Sequence, residues 1–166
     1  MTIFSQPLST ESLSSSPSED MQANLDEIDE IERGLLANPG DCDLLLRAAR
    51  WGERMGRHDE ACSFYLHAAN AAPGRTDAVI ALSDALRGQA HHEQAVKVLQ
   101  DAIGRLPEKP ELWCAIARVM SDVGEDEKAH LFLNEALRID PGNATARLQR
   151  GALNRHAGNR IAPSGD

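Results

Sequence analysis

The stretch that decides the fold is residues 73–107, PGRTDAVIALSDALRGQAHHEQAVKVLQDAIGRLP. It begins and ends with proline, and prolines recur along the chain at one constant interval, the distance from Pro73 to Pro107. The proline series and two alanine series with the same interval are Pro39, Pro73, Pro107 and Pro141; Ala61, Ala95 and Ala129; and Ala68, Ala102 and Ala136. Three independent series that share one period indicate an array of structural repeats.

Each repeat is predicted to contain two helices. In residues 73–107 the segments TDAVIALSDALRGQA and HHEQAVKVLQDAIGRL both have helical composition, and proline follows the second. The two alanine series lie seven residues apart, about two helical turns, so they share one face where a small side chain lets helices cross closely. Proline ends the second helix and fixes the turn into the next repeat. The sequence therefore predicts an all-α protein.

This pattern resembles the tetratricopeptide repeat family, most clearly over residues 39–141. Besides the prolines and alanines, the resemblance is carried by Trp113, Ile116, Ala117, Leu82, Ser83, Gly56, Gly124, Tyr65 and Leu99. The first repeat departs from the family pattern at Gly52, where tyrosine is usual, and the second has Ala90 at the usual turn glycine. The resemblance implies an α-solenoid of stacked antiparallel helix pairs, with a right-handed superhelical twist and a concave groove lined by the first helices.

The register divides the chain into segments. Residues 1–20 are Ser-rich without Lys or Arg, and we predict a disordered tail, although its apolar residues could instead form a docking motif. Those apolar residues are Ile3, Phe4, Leu8 and Leu13. The predicted folded segments are a half repeat at 21–38 in the register of a lone second helix, full repeats at 39–72, 73–106 and 107–140, and a capping helix at 141–158. Residues 159–166 are predicted to be flexible.

The capping helix is predicted from a change of polarity on one face. Arg147, Arg150 and Asn154 occupy positions where the family has large residues that pack on the second helix of the same repeat. Ala146 and Leu153, on the face that packs against the preceding repeat, remain apolar. We expect that the array ends at this helix. The alternative interpretation is a degenerate repeat in which the arginines extend along apolar surface towards water.

The resemblance implies that a peptide or partner helix binds in the groove. The candidate residues are Leu46, Arg50, Ile80, Asp84, Arg87, Cys114 and Arg118. The apolar members of this set could receive side chains of an extended or helical ligand, or could simply pad the contacts between inner helices. Some family members clamp the terminal carboxylate of heat-shock chaperones with asparagines. Because Arg50, Asp84 and Arg118 replace those asparagines, we do not expect that activity here.

Composition excludes several other classes of function. The net charge of −9 argues against a nucleic-acid ligand, which needs a basic surface. No run of about 18 apolar residues and no secretory signal are present, so no membrane insertion is expected. Three cysteines without C-x-x-C spacing are typical of a reducing compartment, and we predict a cytoplasmic protein. The six histidines are scattered, and we expect no cofactor, no metal site and no catalytic site.

The sequence thus predicts a non-catalytic adaptor or scaffold for protein–protein interaction, and not an enzyme. Two alternatives are a regulatory or accessory subunit of a glycosyl- or sulfotransferase system, and a bacterial secretion chaperone. Self-association is a further expectation, because residues 1–38 hold eight acidic and one basic side chain whereas residues 142–166 hold one acidic and four basic. A plain solvated surface is the alternative explanation of this asymmetry.

Overall fold

The computed structural model describes residues 19–161, which form eight helices and, in this part of the chain, no strand. The helices are α1 (Glu19–Ala37), α2 (Cys42–Arg54), α3 (His58–Ala71), α4 (Thr76–Gly88), α5 (His92–Arg105), α6 (Pro110–Asp122), α7 (Asp126–Ile139) and α8 (Ala144–Ile161). The predicted all-α fold is confirmed. The disordered tail was predicted for residues 1–20. Residues 1–18 lie outside the described range, and residues 19 and 20 belong to α1. Residues 162–166 also lie outside this range.

The helices follow the repeat period closely. The first helices α2, α4, α6 and α8 begin at residues 42, 76, 110 and 144, and the second helices α3, α5 and α7 begin at 58, 92 and 126. Every step equals the interval of the proline and alanine series. Helix α1 begins at Glu19, two residues before the predicted start of the half repeat, and α8 continues to Ile161, beyond the predicted limit of 158.

The turn inside each repeat has a backbone conformation that favours glycine. Gly56 has a φ of +72° and Gly124 a φ of +81°, and Ala90 adopts the same region with a φ of +61°. The left-handed region places the Cβ of an L-residue too close to the following carbonyl oxygen, so glycine adopts it at lower cost than alanine. The second repeat therefore keeps the turn but carries local strain that the other two repeats avoid.

The chain divides into two compact units, each described by itself. Unit 1 comprises residues 1–72 with helices α1–α3. Its core contains Ile31, Trp51 and Tyr65, with Ala61 fully buried at the close approach of α2 and α3. Gly34 lets α1 approach α2, since a Cβ at this position would lie 2.5 Å from a methyl group of Leu44.

Unit 2 comprises residues 73–166 with helices α4–α8. Its large buried side chains include Leu99, Leu112 and Leu133. Helix α8 buries Ala146 and Leu153 in a cluster with residues of α6 and α7. The other face of α8 is polar, with Arg147 and Asn154 exposed and Arg150 half-buried.

Candidate functional site

The first helices α4 and α6 of unit 2 are in direct contact, and they bring Asp84 and Arg118 together. Arg118 Nη2 donates a hydrogen bond to Asp84 Oδ2 at 3.2 Å and lies 3.1 Å from Oδ1. The two residues are 34 positions apart, one period, so they occupy the same place in consecutive repeats. Two of the candidate residues, Asp84 and Arg118, therefore form an ion pair between neighbouring first helices in this unit.

Arg87 extends this pair into a network. Its Nη1 donates to Asp122 Oδ2 at 2.7 Å, and its Nε lies 3.5 Å from Asp84 Oδ1. The hydrogen bond to Asp122 raises the pKa of the Arg87 guanidinium above its usual value. We call Asp84, Arg87, Arg118 and Asp122 the groove network; its formal charge is zero.

Sequence reasoning missed Asp122. The usable signal was its position one turn after Arg118 on the same helix, together with its separation of 35 positions from Arg87, one more than the period. Two residues related by about one repeat period lie on neighbouring first helices, so opposite charges at that separation can meet.

The groove network is open to competition by a ligand. Its side chains are each between 29% and 37% exposed. Partly exposed ion pairs contribute about 0–1 kcal/mol to stability, because water screens them and ordering long side chains costs entropy. A ligand with its own charged or hydrogen-bonding groups can therefore replace one partner of a pair at small cost.

The apolar candidates of unit 2 differ in depth. Ile80 is half-buried on α4, whereas Cys114 is buried on α6 with 3% of its surface exposed. Burial raises the pKa of the Cys114 thiol to about 11. The thiol is therefore protonated at neutral pH and acts as a small apolar side chain, not as a nucleophile.

A small cavity of about 170 Å³ lies beside Arg118, between α6, α7 and α8. Two buried polar atoms of its lining residues, Arg118 Nε and Gln149 Oε1, make no hydrogen bond within the described residues. One is a donor and the other an acceptor. Neither atom has accessible surface, so a ligand can reach them only if the side chains of Arg118 and Gln149 move.

In unit 1 the candidates Leu46 and Arg50 both lie on α2. Leu46 is buried, with 3% of its surface exposed, while Arg50 is exposed and forms no ion pair with any described residue. Other charges of α2 hold α1 instead: Arg47 contacts Glu30 at 3.0 Å, and Arg54 contacts Glu27. The hydrogen bond from Arg47 lowers the pKa of the Glu30 carboxyl. Arg50 is thus an exposed cation on α2 that is available to a ligand.

Two features that would indicate other classes of protein are absent from residues 19–161. Histidine, cysteine and carboxylate side chains form no group of three or more that could hold a metal ion in this range. None of the helices in the same range is both long enough and apolar enough to cross a membrane.

Helix pairs repeated at this interval and in this register have the arrangement of a tetratricopeptide-type repeat. No protein-family model matches the chain. It is 30% identical over 107 residues to Protein FlbA of Caulobacter vibrioides; the match covers 60% of this chain and 18% of FlbA. The chain therefore spans less than a fifth of that relative's length.

Solved structures show the fold more directly. The crystal structure of MamA matches with a TM-score of 0.63 and 20% identity, covering 86% of this chain and 84% of that one. The first TPR domain of Spaghetti (RPAP3), bound to the HSP90 peptide SRMEEVD, matches with a TM-score of 0.58 and 14% identity, covering 70% of this chain and 93% of that one. The chain has the tetratricopeptide repeat fold, and the resemblance inferred from the sequence is confirmed at that level.

Proposed function

We propose that this chain is a non-catalytic interaction module that binds a peptide or partner helix on its first helices. The observation that carries the proposal is the groove network on α4 and α6. Its four charges pair with one another at the surface, and Arg118 also lines a small cavity. A peptide brings charged side chains and main-chain amides that can replace partners within the network.

The candidate residues have different roles in this proposal. Ile80 supplies apolar contact, and Arg50, Asp84, Arg87 and Arg118 supply polar contacts. Leu46 and Cys114 are buried, so they support the surface from beneath instead of touching the ligand.

A peptide is also the ligand in one structure of the same fold, the RPAP3 domain with SRMEEVD. That likeness supports the ligand class and not the particular peptide. The mixed charges at Arg50, Asp84 and Arg118 favour a ligand that carries both acidic and hydrogen-bonding groups. We infer further that the module works in a reducing compartment such as the cytoplasm, which is supported by the three free cysteines Cys42, Cys62 and Cys114.

The test is selection of a displayed random peptide library on the wild-type chain, followed by affinity measurement on variants. We expect Ile80→Lys to weaken binding of the selected peptides at least tenfold, about 1.4 kcal/mol, because it places a charge at the apolar contact. The matched control is Leu131→Lys, which makes the same type of change at a side chain of α7 that is 66% exposed. Circular dichroism and thermal unfolding verify that both variants are folded.

Equal binding of the selected peptides to wild type and Ile80→Lys would overturn the proposed surface. The accessory-subunit and secretion-chaperone interpretations require a folded protein as the partner. These two interpretations would be favoured if this protein selected no peptide from the library but co-purified with one intact protein at fixed stoichiometry.

A further inference from the structure

Unit 1 contains an open cavity of about 430 Å³ that is separate from the candidate residues on its first helix. It lies where the end of α1 meets α2 and α3. Its apolar wall includes Leu36, Pro39, Leu45 and Phe64, and its polar wall includes Glu60 and Ser63. We call it the outer cavity. Leu36 is 67% exposed, so a large apolar side chain stands open at its edge.

The equivalent place in unit 2 holds an indole ring. Two repeat periods after Pro39, Leu45 and Phe64 the chain has Pro107, Trp113 and Phe132. The Trp113 ring lies 6.0 Å from the Phe132 ring between centroids, and its Nε1 donates to the Pro107 carbonyl at 2.8 Å. The outer cavity therefore arises where Leu45 replaces tryptophan, and its walls are built to contact an aromatic ring.

The wall of the outer cavity also contains a carboxylate, that of Glu60. Glu60 Oε2 is buried, lies 3.4 Å from Arg57 Nη1, and makes no hydrogen bond within residues 19–161. Glu60 belongs to the cavity wall and its side chain is 27% exposed, so an occupant that brings a donor can hydrogen-bond to the accessible part of the carboxylate. The best occupant combines an aromatic side chain with nearby N–H or O–H groups.

We propose that the outer cavity binds the N-terminal segment of this same chain, residues 2–8 (TIFSQPL), with Phe4 in the place that Trp113 takes in unit 2. Phe4 is the one aromatic residue of the sequence outside residues 19–161. The main-chain N–H groups beside it and the hydroxyl of Ser5 supply donors for Glu60. The inference is independent of the peptide-binding surface on the first helices.

The chain is long enough to make this contact. Helix α1 begins at Glu19, and Leu36 lies 17 residues further, about 26 Å along the axis. Phe4 and Glu19 are 15 positions apart, a distance of up to about 50 Å when the segment is extended. They can therefore run back along α1 to the outer cavity. Covalent linkage through a short segment gives an effective concentration in the millimolar range, so even a weak contact is well populated.

The near absence of charged side chains in residues 1–18 indicates that the contact with the outer cavity is apolar and not ionic. Residues 1–18 contain one acidic side chain and neither Lys nor Arg, so they cannot form ion pairs with the acidic side chains of α1. Aromatic burial and hydrogen bonds carry the docking, and raising the salt concentration does not release the segment.

The test uses the full chain with Ser63→Cys, which places a thiol in the wall of the outer cavity. Alkylation by iodoacetamide, mapped by mass spectrometry with fragment ions that resolve residue 63 from Cys62, gives its labelling rate. We expect about fivefold slower labelling with Phe4 present than in the Phe4→Ala chain, corresponding to about 80% docked molecules. The matched control is Lys97→Cys, one period later on α5 and exposed, which is labelled at the same rate in both chains.

Equal labelling of residue 63 with and without Phe4 overturns the proposal. So does protection that grows with protein concentration, because that result makes a second copy the occupant. A double-mutant cycle gives an independent check: Phe4→Ala lowers the melting temperature of the wild type but leaves that of Leu45→Trp unchanged, since the new indole fills the outer cavity. Additive effects of the two substitutions overturn the proposal as well.

Discussion

The corner formed by α1, α2 and α3 in unit 1 and the corner formed by α5, α6 and α7 in unit 2 share one register but differ at several wall positions. Unit 1 has Leu36, Leu45 and Ser63 where unit 2 has Gly104, Trp113 and Leu131. Unit 2 has Trp113 there, packed near Phe132, and unit 1 has Leu45 beside an open cavity. Both corners keep small, fully buried alanines at the helix crossing, Ala61 in one and Ala129 in the other. Small residues at the crossing fix the distance between the helices, so the large residue at the edge can vary without loss of the repeat.

The two units also use their charges differently. In unit 1, Arg47 and Arg54 of the first helix bind carboxylates of the preceding second helix α1. In unit 2, Arg87 and Arg118 bind carboxylates on neighbouring first helices. Ion pairs between a first and a second helix stabilise the stack, whereas ion pairs among first helices lie on the surface that a ligand contacts. The groove network is therefore the better place for specificity.

The largest expected effect comes from making unit 2 resemble unit 1. Trp113→Leu removes the ring that packs near Phe132 and the hydrogen bond to Pro107. We expect the free energy of unfolding to fall by about 2–3 kcal/mol, below the range for truncating a buried aromatic residue to alanine because leucine keeps part of the contact. Urea denaturation followed by circular dichroism measures the change.

The control for this substitution is Leu131→Ala, which removes apolar atoms from an exposed side chain of the same unit and should alter the free energy of unfolding by less than about 0.5 kcal/mol. A loss of under about 0.5 kcal/mol for Trp113→Leu would show that the indole does not hold this corner. The difference between Trp113 and Leu45 would then not correspond to a difference in stability between the two corners.

Local features of the fold were predictable because they depend on single residues in a fixed register. The prolines placed the helix ends, and Gly56 and Gly124 marked the turns that the structure shows with positive φ. The pairing of Arg87 with Asp122 had a signal in the spacing of the two residues. The burial of Gln149 Oε1 without a hydrogen bond within residues 19–161 had none, since it depends on how side chains of different helices meet. The register predicted which face of a first helix the apolar candidates share, but it did not predict their burial. Leu46 and Cys114 are buried, whereas Leu148, one period after Cys114, is 74% exposed.

The outer cavity could have been predicted and was not. Leu45 and Trp113 lie two repeat periods apart, so the sequence already contained the substitution of a small residue for a large one. The wall residues come from three helices, and only their packing shows that no other side chain of residues 19–161 fills the space. Comparing the repeats in register shows that the residue at Leu45 and Trp113 varies. Only the tertiary structure shows that this variation leaves a cavity beside Leu45.

The next largest effect is expected at the turn inside the second repeat, which has alanine where the other two repeats have glycine. Ala90→Gly gives that repeat the residue found at Gly56 and Gly124, and relieves the strain of a φ of +61°. We expect the free energy of unfolding to rise by about 1 kcal/mol, with the reverse change, Gly124→Ala, lowering it by a similar amount. Gly88→Ala is the matched control: it lies at the end of α4, where an added Cβ meets nothing within 4 Å, so alanine there costs nothing. If Ala90→Gly lowered the free energy of unfolding, the claim that Ala90 is strained at its positive φ would be wrong.

The smallest expected effect would transfer a helix cap from unit 1 to unit 2. Asp41 caps α2 by accepting hydrogen bonds from the N–H groups of Asp43 and Leu44, whereas Lys109, two periods later, caps α6 without a side-chain hydrogen bond. Both cap residues have extended backbone, so Lys109→Asn places an acceptor in the same geometry. We expect a gain of about 0.5 kcal/mol in urea denaturation, and none in Lys109→Ala, which removes the same charge without adding an acceptor. Equal stability of these two variants would mean that α6 gains nothing from a cap at this position, and that its initial Pro110 already fixes the first turn.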